Sequence, residues 1–168
     1  MKTLVLGLLF LGLTNLTFSQ NELAYTKVNS KTTFKTATIN SAFINSFTST
    51  DISKRILSFQ KTAADYDITT NPVYRPNNPS TYTVVFKEAN NLIENLYSHS
   101  GEILSSNQTF TDIRLPYNIS SKITMEHQGW AINHVECHIA YTQGEPVNIV
   151  YKVKLKNGDQ TKTLRIAE

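Results

Sequence analysis

An α+β domain built from tandem helix-plus-antiparallel-hairpin units is predicted by three features of the sequence. Two stretches place apolar residues at helical spacing, several runs alternate apolar and polar residues as half-buried strands do, and turn residues separate those runs. The 168 residues, with 40% hydrophobic and 17% charged, suit one globular domain. Asn, Ser and Thr make up 51 of them, a load of neutral hydrogen-bonding side chains suited to solvated strand faces and loops.

The first helical stripe is Ile52, Ile56, Phe59 and Ala63, with Asp51 near its start where the helix dipole favours a carboxylate. Asn71-Pro72 and the run Pro76, Asn77, Asn78, Pro79 then force a loop. Tyr82, Val84 and Phe86 alternate with Thr83, Val85 and Lys87, Asn90-Asn91 turns the chain, and Leu92 to Tyr97 returns it. Ser98 to Gly101 makes a second turn into a strand over Glu102 to Phe110. Leu115-Pro116 opens the second helix, with Ile119 and Ile123 on one face and Gly129 as its stop. Trp130 to Tyr141 reads as a strand, Gln143 to Pro146 as a turn, and Val147, Ile149, Tyr151, Val153 and Leu155 as a strand of unbroken alternation. Asn157-Gly158 is expected to form the central pair of a type I′ turn into the last strand, which Leu164 and Ile166 close.

The two helical stretches suggest a duplication. Ile52-Ser53-Lys54-Arg55-Ile56 answers Ile119-Ser120-Ser121-Lys122-Ile123, and Tyr82-x-Val84-x-Phe86-Lys87 answers Tyr151-x-Val153-x-Leu155-Lys156. Chance similarity of two amphipathic stretches is the plainer alternative. The expected repeats span about 51–110 and 115–167. Ahead of them, Asn29 to Thr50 holds 13 Asn, Ser or Thr in 22 residues and keeps no steady apolar period, so 20–50 reads as a lead-in contributing an edge strand rather than a second domain.

Residues 1–19 have the three-part layout of a secretory signal peptide: a positive start at Lys2, an apolar run from Leu4 to Leu13, and small residues at Thr17 and Ser19 before a cut ahead of Gln20. A membrane anchor is the alternative, but this run is half of the roughly 20 residues a spanning helix needs. Export to the periplasm or the outside, with no transmembrane segment after cleavage, is expected. Cys137 stands alone, so no intrachain disulfide is available and the fold rests on its core. A net charge of +3 is too mild for the basic footprint of a nucleic-acid-binding domain.

Taken in order, Ala64-Asp65-Tyr66-Asp67-Ile68-Thr69, Tyr82-x-Val84-x-Phe86, Gly101-Glu102-Ile103-Leu104, Leu115-Pro116, Gly129-Trp130 and the ending Tyr151-Lys152-Val153 to Asn157-Gly158-Asp159 resemble exported PepSY-like proteins of the beta-lactamase-inhibitor-like group. The likeness covers about Asp51 to Ile166 and rests on turn and core markers without catalytic content. It implies a PepSY-like domain over 51–168: a tandem α/β repeat whose antiparallel sheet carries helices on one face and offers the other to a protein or peptide of the cell envelope.

His134-Val135-Glu136-Cys137-His138 is the one cluster with metal-ligand chemistry. On a strand, His134, Glu136 and His138 share a face, whereas Cys137 points the other way with Val135, Ile139 and Tyr141, which rules against a Cys/His dyad. Same-face neighbours lie some 7 Å apart, too far for three ligands at about 2 Å from one ion, so the plainer reading is a solvated strand face. The rival reading is a small-ligand or metal carrier using those three residues. Lys152, Lys154 and Lys156 form a second solvated stripe, and Asp65 and Asp67 lack a Gly-bearing calcium loop. Trp130 reads as a core anchor. No phosphate-binding glycine loop, nucleophile elbow or H-E-x-x-H is present, so neither a catalytic site nor a cofactor is expected, and the expected class is a non-enzymatic binding domain.

Intact-mass analysis of the secreted protein is expected to place the mature N-terminus at Gln20 or its cyclised form; a product retaining Leu4 to Leu13 would disprove cleavage.

Overall fold

The computed structural model describes residues 22–27, 39–48, 50–77 and 80–168; the expected signal peptide, 1–19, and much of the expected lead-in lie outside them. Seven strands form one sheet in chain order: β1 (Glu22–Lys27), β2 (Tyr82–Glu88), β3 (Asn91–Tyr97), β4 (Ile103–Thr111), β5 (Ala131–Thr142), β6 (Asn148–Asn157) and β7 (Gln160–Ala167). β1 runs parallel to β2, and β2 to β7 form a six-strand antiparallel meander. Among the described residues there are three α-helices, α1 (Ser41–Asn45), α2 (Lys54–Ala64) and α3 (Tyr117–Glu126), and one 3-10 turn at Ile68–Thr70. The described residues are therefore α+β, as the sequence predicts.

Alternation along the strands decides what is buried. Tyr82, Val84 and Phe86 of β2, Ile93 and Tyr97 of β3, Phe110 of β4, Val135, Cys137, Ile139 and Tyr141 of β5, and Ile149, Tyr151, Val153 and Leu155 of β6 form one cluster with Phe43, Ile56, Phe59, Ala63, Ile119 and Ile123 of the helices. The helices therefore cover a single face. Phe43 and Phe47 set their rings edge-on to each other at 5.1 Å, and Phe43 meets Tyr141 at 5.0 Å, so the packed core begins ahead of Asp51, the expected domain start. Within the expected lead-in, 20–50, β1 is an edge strand and the described residues Ser41–Asn45 form α1.

All four residues of the first helical stripe are buried, and the N-cap is Ser53, whose oxygen accepts from the Ile56 N–H at 3.4 Å. The last carbonyls of α2 have no helical partner and find others. Ala63 C=O accepts from the Tyr97 hydroxyl at 2.7 Å, and Ala64 C=O from the Asn40 side-chain amide at 3.1 Å. Asn40 is 4% exposed and also donates to the Gly101 carbonyl at 3.2 Å while its oxygen accepts from the Ile103 N–H at 2.8 Å. One side chain thus ties the entry to α1, the end of α2 and the start of β4.

Two turns are displaced by one residue from the expected positions. Asn157 closes β6 opposite Gln160, so Gly158 and Asp159 are the central pair, with Gly158 at φ 56 supplying the left-handed backbone there. Likewise Glu88 pairs with Asn91, so Ala89 (φ 50) and Asn90 turn the chain, and Asn91 is freed to accept from the Thr111 N–H at 3.1 Å. The residue matching behind the expected duplication joins strands that are not equivalent: Tyr82 to Phe86 lies in the first strand after α2, Tyr151 to Leu155 in the second after α3.

Replacing Asn40 by Ala leaves two carbonyls and one buried N–H without that partner, and is expected to lower stability by about 2–4 kcal/mol in urea titration. A loss under about 0.5 kcal/mol, the range of ordinary surface changes, would show that the three contacts do not act as a tie.

Candidate functional site

The face that the helices leave bare is built by the opposite parity. Its centre runs in rungs set by the register: Thr109, His138, Val150 and Ala167 form one; Thr111, Glu136, Lys152 and Arg165 the next; His134, Lys154 and Thr163 a third. The expected stripes His134-Glu136-His138 and Lys152-Lys154-Lys156 therefore lie side by side on one face. The unbroken apolar alternation of β6 forces this placement.

Glu136 is the hub. Lys152 Nζ donates to Glu136 Oε2 at 3.2 Å, His138 Nε2 lies 3.3 Å from the same oxygen, and His134 Nε2 lies 3.4 Å from Oε1. The hydrogen bond from Lys152 holds the Glu136 carboxyl below its ordinary range, and the two imidazoles act in the same direction against the opposing effect of partial desolvation. His134 Nδ1 also lies 2.8 Å from Asp112 Oδ1. Asp112 reaches it from a left-handed backbone, φ 53, a conformation that Asp tolerates better than most residues. A neutral imidazole has one N–H and serves one carboxylate at a time; the protonated ring serves both.

As a ligand set this geometry is poor. The imidazoles of His134 and His138 approach Glu136 from the two sides along the strand, where alternate residues stand roughly 7 Å apart. The Lys152 ammonium occupies the remaining approach and would repel a cation. Among the described residues no group of three or more His, Cys, Asp or Glu side chains is placed to hold a metal ion.

Cys137 lies on the inner face opposite Tyr151 and is buried, with no accessible surface, among Val135, Ile139 and Tyr141. Burial pushes its thiol up to about 12, so it stays protonated near neutral pH and is a weak nucleophile. Asp65 pairs with Lys61 at 3.2 Å, and Asp67 accepts from the Thr69 N–H at 2.9 Å, so both carboxylates serve local structure. Trp130 is half-buried against the core, with the Lys162 ammonium 4.4 Å from its ring centroid.

Beside His138 the open face dips into a shallow depression of about 280 Å³. It is lined by Leu92, Ala140 and Val150 and, interspersed with them, by the polar Glu94, Asn107, Thr109 and His138. The aromatic residues of β2 to β6, Tyr82, Phe86, Tyr97, Phe110, Tyr141 and Tyr151, all belong to the core. The depression and the contribution of Asp112 are absent from the expectations. Both depend on the pairing of β4 with β5, which are joined through α3 rather than by a tight turn, so no local sequence signal supplies it. No family model, curated protein or solved structure matches the chain.

Removing Lys152 as Gln is expected to return the Glu136 carboxyl toward its ordinary titration range in carbon-detected NMR. A carboxyl lowered in the folded state stabilises above its unfolded pKa, and that stability is lost as pH falls through the folded value. The wild type should therefore hold this contribution to lower pH than Lys152→Gln. Identical Glu136 titrations would disprove the role of the lysine.

Proposed function

We propose that the chain is an exported, non-enzymatic binding domain that engages a protein or peptide of the cell envelope through the open face of its sheet. The observation that carries this reading is the depression in which Leu92, Ala140 and Val150 are interspersed with Glu94, Asn107 and His138, on a face where Glu94, Asn107, Ala140 and Lys152 are exposed. Such a mixed surface suits an extended segment that sets small apolar side chains against it while its polar groups hydrogen-bond the flanks. The rival carrier reading would need Glu136 to release Lys152 and turn, together with His134 and His138, onto an ion.

The PepSY-like assignment is part of the same proposal, supported by the order of turn and core markers along 51–168. The succession of one helix and three strands, met first in α2 with β2 to β4 and again in α3 with β5 to β7, supports reading 51–110 and 115–167 as repeats. In that alignment β2 answers β5.

Photo-crosslinking in the native host tests the surface. A crosslinking side chain at Asn107, beside the depression, is expected to capture a discrete envelope species that Ala140→Arg abolishes, and one at Ser58, exposed on α2, is expected to capture none. Equal capture from both positions, or capture indifferent to Ala140→Arg, would refute the open-face site. Stoichiometric Zn²⁺ is expected to leave the melting temperature unchanged; a rise that disappears in the His134→Gln, His138→Gln protein would make the carrier reading the better one.

A further inference from the structure

The sheet ends at β7, which pairs with β6 and, among the described residues, with no other strand. The Glu168 N–H donates to the Ile149 carbonyl at 3.0 Å, and this contact sets the phase of the ladder. Gln160, Lys162, Leu164 and Ile166 direct their backbone groups to β6, so Thr161, Thr163, Arg165 and Ala167 turn theirs outward along the edge. α3 flanks that edge on the helical side. Between them lies a groove of about 540 Å³, walled by Ile119, Lys122 and Ile123 of α3 and by Leu164 and Ile166 of β7.

The charges beside this edge are lopsided. Arg165 stands directly opposite Lys152, a like-charged cross-strand pair, and Lys154 lies opposite Thr163. Glu136 engages Lys152, while Arg165 and Lys154 have no ion pair among the described residues. Lys122 adds a cation at the groove, shared with Glu126 at 4.0 Å, and Glu168 lies at the far end.

We infer that β7 accepts an extended acidic peptide as an additional strand. Its backbone bonds to the outward groups of Thr161, Thr163, Arg165 and Ala167, as in other strand-addition complexes. Apolar side chains of one parity enter the groove over Ile119, Ile123 and Leu164. Acidic side chains of the other parity lie beside Arg165, with Lys154 one strand further in behind Thr163. A second copy of this chain is a poor partner, because pairing two β7 edges about Leu164 or Arg165 brings Arg165 diagonal or opposite to its own copy. The cations that oppose self-association thereby select for acid. The edge is a different surface from the open-face depression, and the inference stands without that reading.

Fluorescence anisotropy with a capped peptide of alternating valine and glutamate, about eight residues long to match a typical strand, tests the edge. Saturable binding is expected for this probe and none for the matched valine-lysine peptide. Arg165→Glu is expected to weaken the acidic probe by about tenfold or more and to admit the lysine probe. Thr163→Pro removes an outward N–H at an edge position, where proline is tolerated, and is expected to abolish binding. A probe N-methylated on the amides facing β7 should also fail, which reads the edge contact on the unaltered protein. Ala140→Arg should change nothing. The inference is overturned by the absence of saturable binding, by equal binding of both peptides, or by full binding of the N-methylated probe. Loss in Ala140→Arg with retention in Thr163→Pro would overturn it in favour of the open face. A dimer in sedimentation that Thr163→Pro dissolves would overturn it in favour of a second copy.

Discussion

Side chains leave a β-strand on alternate faces, and in this chain that constraint decides the position of everything else. Tyr151, Val153 and Leu155 are buried, so Lys152, Lys154 and Lys156 must face away; the same parity in β5 buries Cys137 and exposes His134 and His138. A slip of one residue would drive three lysines under the helices and bring the apolar set into water, which ties the register to the core. The bare face is consequently polar before any function is considered. What distinguishes it is the arrangement that the register then creates, with Glu136 between Lys152 and two imidazoles.

The helices are positioned by polar ties as well as by apolar packing. Gln60 of α2 donates to Gln108 of β4 at 2.8 Å, and Gln108 in turn donates to Ser106 at 3.0 Å, all buried. Together with Tyr97 on Ala63 and Asn40 on Ala64, these contacts fix the rotation and height of α2 over the sheet. Apolar area alone tolerates sliding; a buried amide without its partner does not. Among the described residues the Gln60 side-chain carbonyl oxygen has no hydrogen-bond partner.

Strand and helix identity was largely legible in the sequence because alternation and helical spacing are local. The stripe Ile52, Ile56, Phe59, Ala63 and the run Ile149 to Leu155 appear as buried faces. Turn phase was not legible, since Asn90-Asn91 and Asn157-Gly158 each admit two neighbouring settings, and the choice falls to pairing across the hairpin: Glu88 with Asn91, Asn157 with Gln160. The share of Asn40 in the core was also hidden, because a polar side chain in a Ser/Thr-rich stretch looks solvated until its distant partners, Ala64, Gly101 and Ile103, are brought beside it. At the open face the His/Glu stripe was legible and its neighbours were not. Lys152 lies 16 residues along the chain from Glu136, and Asp112 lies 22 from His134.

Charge then varies along a single rung from the sheet interior to its edge. Thr111 is neutral, Glu136 is anionic, Lys152 is matched by Glu136, and Arg165 follows without a counter-charge of its own. Because Glu136 is shared among one ammonium and two imidazoles, it has little to offer a fourth group, and its neutralising effect falls off across the two strands that separate it from the outer edge. Lys152, Lys154 and Arg165 thus lie together over β6 and β7, and the polar hub and the basic rim form one electrostatic surface.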